Sequence, residues 1–224
     1  MSDSTSMVYA FKRPLGTSKK RLSLKANALD TLRGVGFSRD CEVDIATGGQ
    51  FSIIDAIEAV LDITGPADVT LATWTAAQFD LTQIESQLVH GQIRDFRMIV
   101  DRSFVNRQPA FMKRVLERFG KGSVRATRTH AKFAVVTNEE WSVVLRTSMN
   151  LNHCSRLEFL QVTESSELAE FWLSVADAIF EEVEEGHGKG WEAPQLESLA
   201  GFEPEPAVRT GVAGMSRAAV RVGA

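Results

Sequence analysis

Cysteine, tyrosine and long apolar runs are scarce in this 224-residue sequence. Two cysteines, Cys41 and Cys154, cannot build a disulfide framework or a zinc cluster, and a reducing compartment is the default for such a chain. No apolar run nears the ~20 residues a membrane helix needs. The opening Met-Ser-Asp-Ser-Thr-Ser leads into no apolar signal-peptide core. The expectation is a cytoplasmic protein that does not engage a membrane. Several function classes fall away with their motifs: there is no G-x-x-x-x-G-K-[ST], no G-x-G-x-x-G, no G-x-S-x-G and no H-E-x-x-H. The four histidines (His90, His130, His153, His187) and two cysteines lack zinc-ligand spacing, so no metal or cofactor is expected.

What is there is ordinary globular composition, 44% hydrophobic, at a length that suits one domain. The net charge of -4 hides segregation. Residues 1–40 hold eight Lys/Arg against three acids, whereas residues 41–93 hold eight acids and no Lys or Arg. Residues 94–132 then carry eleven basic residues against three acids, and residues 164–206 carry twelve acids against one lysine. The central basic block invites a phosphate-bearing partner, nucleic acid above all. Arg125 and Arg128 within it are the candidate nucleic-acid contacts. Arg114, Arg118 and Lys121 fit the solvent face of a helix equally well.

Residues 1–47 are basic and Ser-rich with little periodicity, and read as a flexible arm with at most a short helix near 24–33. Ser52-x-x-Asp55 is a capping box opening a helix with Ile54, Ile57 and Leu61 on one face. A buried strand follows at 69–73, then a helix capped at Asp80 with Gln83, then a strand at 96–100. Pro109 fits the first turn of a third helix, and Gly120 its C-terminal end. Strands are expected at 124–127, 132–136, 141–146 and 157–162, the middle two as a hairpin. Ser165 or Ser166 caps a last helix with Leu168, Phe171, Val175, Ile179 and Val183 facing in. Residues 187–224, rich in Gly, Pro and Glu, read as a disordered tail. Alternation of strand and helix followed by clustered strands implies an α/β domain over 48–186, a mixed β-sheet flanked by helices on both faces. In such sheets the functional site gathers at the carboxyl ends of strands.

One segment carries chemistry: Thr129-His130-Ala131-Lys132-Phe133-Ala134-Val135-Val136. His130 and Lys132, two apart on a strand, share a face, and such a pair at the start of a buried strand needs partners. Arg146-Thr147-Ser148-Met149-Asn150 adds a hydroxyl and an amide, and Glu158 adds a carboxylate. Imidazole, ammonium, hydroxyl, amide and carboxylate together make a phosphate-handling set. Trp74 and Asp101, each just past or at a strand end, fit either the rim of that site or a role in binding.

These residues resemble the HKD signature of the phospholipase D superfamily, H-x-K-x4-D followed by G-S-x-N. His130, Lys132, Ser148 and Asn150 match it. Thr137 stands where the family has Asp, and Thr147 where it has Gly. The resemblance spans roughly residues 48–185 and implies one half of a phospholipase-D-like fold. It further implies a metal-independent phosphodiesterase, a nuclease given the basic block, acting through a phosphohistidine. His130 would be the nucleophile or the acid, with Lys132, Ser148 and Asn150 on the phosphate oxygens. Glu158 would support His130. A single motif implies half a site, completed in a homodimer. The alternative is a non-catalytic relative that binds nucleic acid or protein through the same pocket, which the two threonine substitutions favour. A third possibility is an assembly protein that acts through its charged ends.

Overall fold

The computed structural model describes residues 8–14, 21–25, 27–151, 156–183 and 185. In chain order the elements are β1 (Val8–Pro14), β2 (Arg21–Lys25), α1 (Ala28–Val35), β3 (Cys41–Thr47), α2 (Ile53–Thr64), β4 (Ala67–Thr73), α3 (Gln78–Val89), β5 (Ile93–Asp101), α4 (Arg102–Arg107), α5 (Pro109–Phe119), β6 (Val124–Thr127), β7 (Phe133–Thr137), β8 (Ser142–Thr147), β9 (Glu158–Glu164) and α6 (Ser166–Glu182). The strands form one mixed sheet in the order β2-β1-β3-β9-β8-β7-β4-β5-β6. β4, β5 and β6 run parallel. β7 is antiparallel to β4, and β8, β9, β3, β1 and β2 continue the antiparallel half.

Side chains alternate across the sheet, as the two-residue strand period requires. Leu71, Met98, Val100, Ala134, Val136, Val143 and Leu145 point into a large core shared with α1, α2, α3 and α5. Ala72, Ile99, Phe133, Val135 and Val144 point the other way, under α6. The α/β class with helices on both faces is therefore as expected.

Local chemistry explains several boundaries. The capping box of α2 forms, with Ser52 N–H donating to Asp55 Oδ2 at 2.7 Å. Ser165 Oγ caps α6 by accepting Leu168 N–H at 3.3 Å. Pro109 occupies the first turn of α5, where its missing N–H costs nothing.

Three sequence expectations are corrected. Residues 41–47 belong to the sheet rather than to an arm. Cys41, Val43 and Ile45 are buried in the core, while Glu42 reaches Arg146 Nη2 and accepts from Thr163 Oγ1. Acids at alternate positions disguised the strand. α1 and the β1–β2 pair also lie in the segment read as an arm. Second, α3 begins at Gln78 with Ala77 as its N-cap and no side-chain cap, so Asp80 is buried in the first turn instead of opening the helix. The start is set by tertiary contact, because Ala77 N–H donates to Leu151 O at 2.7 Å. Third, α6 packs on Ala169, Ala176, Ile179 and Val183, leaving Phe171 45% exposed. Phe171 stands two residues from Ala169, about 200° around the helix at 3.6 residues per turn, and so faces away from the sheet. The sequence reading of a C-terminal tail at 187–224 lies outside the described residues.

Candidate functional site

The strand directions bring one set of ends together at a single edge of the sheet. These are the carboxyl ends of β3, β4, β5, β6 and β8 and the amino ends of β7 and β9. His130, Lys132, Ser148, Asn150 and Glu158 all lie at this edge.

His130 and Lys132 are not on a strand, contrary to the sequence reading. β6 ends at Thr127 and β7 starts at Phe133, and the two are not neighbours in the sheet. Side chains hold the connecting segment in place of a ladder. Asp101 Oδ2 accepts Thr129 N–H at 3.0 Å, and Thr129 Oγ1 accepts Ala131 N–H at 3.0 Å. Asp101 Oδ1 meanwhile caps α4 through Ser103 N–H at 2.8 Å. One carboxylate thus ties the end of β5 to the residue before His130.

His130 is exposed and Lys132 half-buried. Lys132 Nζ lies 3.2 Å from both His130 Nδ1 and His130 O. An ammonium can only donate, so Nδ1 accepts and a neutral His130 ring carries its proton on Nε2. Burial pushes the Lys132 pKa down from its ordinary value, and the Glu158 charge opposes that shift.

Ser148 and Glu158 are joined directly. The Ser148 hydroxyl donates to Glu158 Oε2 and its oxygen accepts Phe159 N–H at 3.0 Å. Glu158 therefore engages Ser148 by hydrogen bond and Lys132 by charge. Among the described residues it makes no bond to His130, which differs from the supporting role the resemblance implied. Thr147, in the place of the family's glycine, is buried. Its hydroxyl donates to Phe159 O at 2.5 Å and accepts Met149 N–H at 3.0 Å. The segment beyond is clamped to the end of β4: Leu151 N–H lies 3.2 Å from Thr73 Oγ1 and 3.1 Å from Thr75 O. Asn150 directly precedes this clamped residue. Its Oδ1 is buried and without a hydrogen-bond partner among the described residues.

Thr137 closes β7 at the opposite edge of the sheet. The five-residue strand separates it from the site by roughly 13 Å at about 3.3 Å per residue. An aspartate at that position would stand at the far end of β7 from His130.

Arg125, an expected nucleic-acid contact, is engaged within the fold. It is buried on β6, and its guanidinium donates to the carbonyls of Phe180, Lys121, Gly122 and Val124 at 2.9–3.3 Å while stacking 4.5 Å from the Phe180 ring. Residue alternation on β6 aims it under α6, which the charge count could not reveal. Arg128 is exposed on the same segment as His130. Much of the remaining basic block is also engaged internally. Arg94 pairs with Asp68 and Glu139, Arg97 with Asp177 and Arg118 with Glu85.

Two residues near His130 complete the arrangement. The Trp74 ring lies 5.6 Å from the His130 ring at 45°. Arg107, at the end of a short helix that the sequence reading missed, sits with Cζ 4.4 Å from the Trp74 ring centroid. The available signal was Asp101-x-Ser103, a capping pair directly after a strand.

No family model matches the sequence, and no curated protein matches it either. Among solved structures the chain is similar to NucT from Helicobacter pylori, at 15% identity over 58% of this chain and 91% of that one, with a TM-score of 0.43. It is similar to a phospholipase D family member, Nuc from Salmonella typhimurium, at 18% identity over 59% and 91%, with a TM-score of 0.40. It is also similar to TrmBL2, an archaeal chromatin protein described with a novel mode of DNA binding, at 12% identity over 67% and 55%, with a TM-score of 0.42. The solved structures that this chain is similar to, at these identities, thus include a phospholipase D family member.

Proposed function

We propose that the protein is a metal-independent phosphodiesterase that acts on nucleic acid at a site shared by two copies of the chain. The observation that carries this reading is the set of His130, Lys132, Ser148 and Glu158 at one sheet edge, with Lys132 Nζ 3.2 Å from His130 Nδ1. Its order along the chain matches the H-x-K and S-x-N motif. A phosphodiester is a better acceptor for the Lys132 ammonium than an imidazole. When it binds, Lys132 turns to the phosphate oxygens and frees Nδ1 to carry the ring proton. Nε2 then has a lone pair for phosphorus.

In the first step His130 Nε2 bonds to phosphorus, the bond to the leaving oxygen breaks, and the partner subunit's His130 gives its proton to that oxygen. In the second step water bonds to phosphorus and the P–N bond breaks. One water proton passes to the partner's His130, and the phosphomonoester leaves. Lys132 would stabilise charge on the phosphate oxygens, joined by the Asn150 side-chain NH2 and by Ser148 once its hydroxyl turns from Glu158 to the phosphate. The route requires one imidazole to start neutral and its twin to start protonated.

The test is cleavage of bis-p-nitrophenyl phosphate and of single-stranded DNA in EDTA, by wild type and His130→Asn, with sedimentation at micromolar concentration. The expected result is a dimer, turnover that survives the chelator, and its loss in the variant. Turnover that persists in His130→Asn or stops with EDTA refutes the phosphohistidine route.

A second reading has its own support. Thr147 is built into the local hydrogen bonding, and Glu158 is committed to Ser148 and not to His130. Both suit a pocket kept for binding nucleic acid or protein without turnover. Inactivity of the wild type together with salt-sensitive DNA binding would select that reading.

A further inference from the structure

We propose that Trp74 and Arg107 form a base-stacking subsite beside His130, which takes an unpaired nucleobase adjacent to the bound phosphodiester. The proposal rests on the nucleic-acid reading given above.

Trp74 follows the end of β4, half-buried, with its indole against the His130 imidazole. Arg107 lies over the same indole, 4.4 Å from the ring centroid to Cζ. Its Nε donates to Ser103 O at 3.2 Å, back into its own helix, with Nη2 3.5 Å from Ser103 Oγ. These contacts hold an exposed guanidinium on the ring. Arg94, Arg97 and Arg118 are each neutralised by a carboxylate, but among the described residues Arg107 is paired with none. Its charge is thus kept beside the site while its planar group is fixed by an aromatic ring.

Those two properties select the ligand. A flat cation backed by an indole stacks on a planar π-system, and a retained positive charge draws a polyanion. A nucleotide supplies both, its phosphate at Lys132 and its base on the outer face of Arg107. A base inside a duplex has both faces covered by its neighbours, so only an unpaired base can occupy the position.

The experiment compares two fluorescein-labelled probes of the same length by anisotropy at low salt. One is oligothymidylate and the other its abasic analogue, both with phosphorothioate linkages to resist cleavage. The wild-type chain is expected to bind the base-bearing probe about tenfold tighter. Arg107→Lys keeps the charge but loses the planar face. It should bring the ratio close to one while leaving abasic affinity within about twofold. Trp74→Ala, with folding checked by circular dichroism, should also abolish the ratio by removing the support. An unchanged ratio in Arg107→Lys overturns the proposal, as does a ratio of one in the wild type with both probes bound. In either case the indole serves only to pack against His130. If neither probe binds, the nucleic-acid reading fails and the subsite fails with it.

Discussion

Thr147 N–H donates to the carbonyl of Lys132 at 3.1 Å, one step beyond the paired residues of β7 and β8. This bond joins the two halves of the motif through the backbone. It makes Thr147 a support of the site as well as a departure from the family pattern. Thr147→Gly deletes two hydrogen bonds made by the hydroxyl and frees the backbone. The expected cost is about 1–3 kcal/mol, a fall in Tm of several degrees for a chain this size. Thr137→Asp, at the far end of β7, is expected to leave both turnover and DNA affinity unchanged. A rise in Tm for the first variant, or a gain of activity from the second, would contradict this assignment of the two threonines.

Lys132 gives a pH signature. Burial lowers its pKa in the fold, and Glu158 only partly offsets that. Between the folded pKa and the unfolded value of about 10.5, the unfolded chain binds more protons than the native one, so stability rises with pH across that interval. The cost of holding the charge is present in full below the folded pKa. Relative to Lys132→Gln, the wild type should therefore gain stability as the pH climbs toward the ordinary lysine range. Glu158→Gln should depress the Lys132 pKa further. Denaturant midpoints measured for wild type and Lys132→Gln from neutral to alkaline pH check this, and parallel curves would exclude it.

Arg125 and Arg128 are three residues apart and should behave oppositely. Arg125→Ala strips a buried guanidinium from four carbonyls and the Phe180 ring. It should cost about 2–3 kcal/mol of stability with the salt dependence of DNA binding unchanged. Arg128→Ala should leave stability within about 0.5 kcal/mol and reduce the slope of log affinity against log salt by about one. Salt titrations and thermal melts of both variants separate the roles, and an Arg125→Ala variant that folds normally but loses the slope would reverse the assignment.

Asp101 is a positioning residue for the loop that carries His130. Each carboxylate oxygen accepts a different backbone N–H, Ser103 at 2.8 Å and Thr129 at 3.0 Å. Asp101→Asn must turn an amide N–H toward one of those donors. The expected result is a loss of about 1–3 kcal/mol and a fall in kcat at nearly constant KM, since the loop but not the Lys132 backbone is loosened. Full rescue of kcat by Asp101→Glu is not expected, because the longer side chain cannot meet both N–H groups. A variant that loses stability but keeps kcat would confine Asp101 to capping α4.

The alternating and helical periods, the Ser52–Asp55 capping box, Pro109, the hairpin and the H-x-K and S-x-N residues are all legible in the sequence. Each depends on contacts within a few residues, and local propensity and local hydrogen bonding decide them. Tertiary structure alone decided the rest. β3 was hidden because its acids on alternate positions are satisfied from more than 100 residues away, Glu42 by Arg146 and Thr163 and Asp44 by Gln161. His130 and Lys132 lie off the strand, in a segment whose Thr129 N–H is taken by Asp101, 28 residues before Thr129. Arg125 resembles a phosphate contact in composition and is a buried anchor in fact, because the pleat of β6 turns it under α6. The place of Thr137, the link from Glu158 to Ser148 and the meeting of Trp74 with Arg107 follow from strand order. Strand order is set by which non-local pairings bury the most apolar surface, and no window of sequence contains that information.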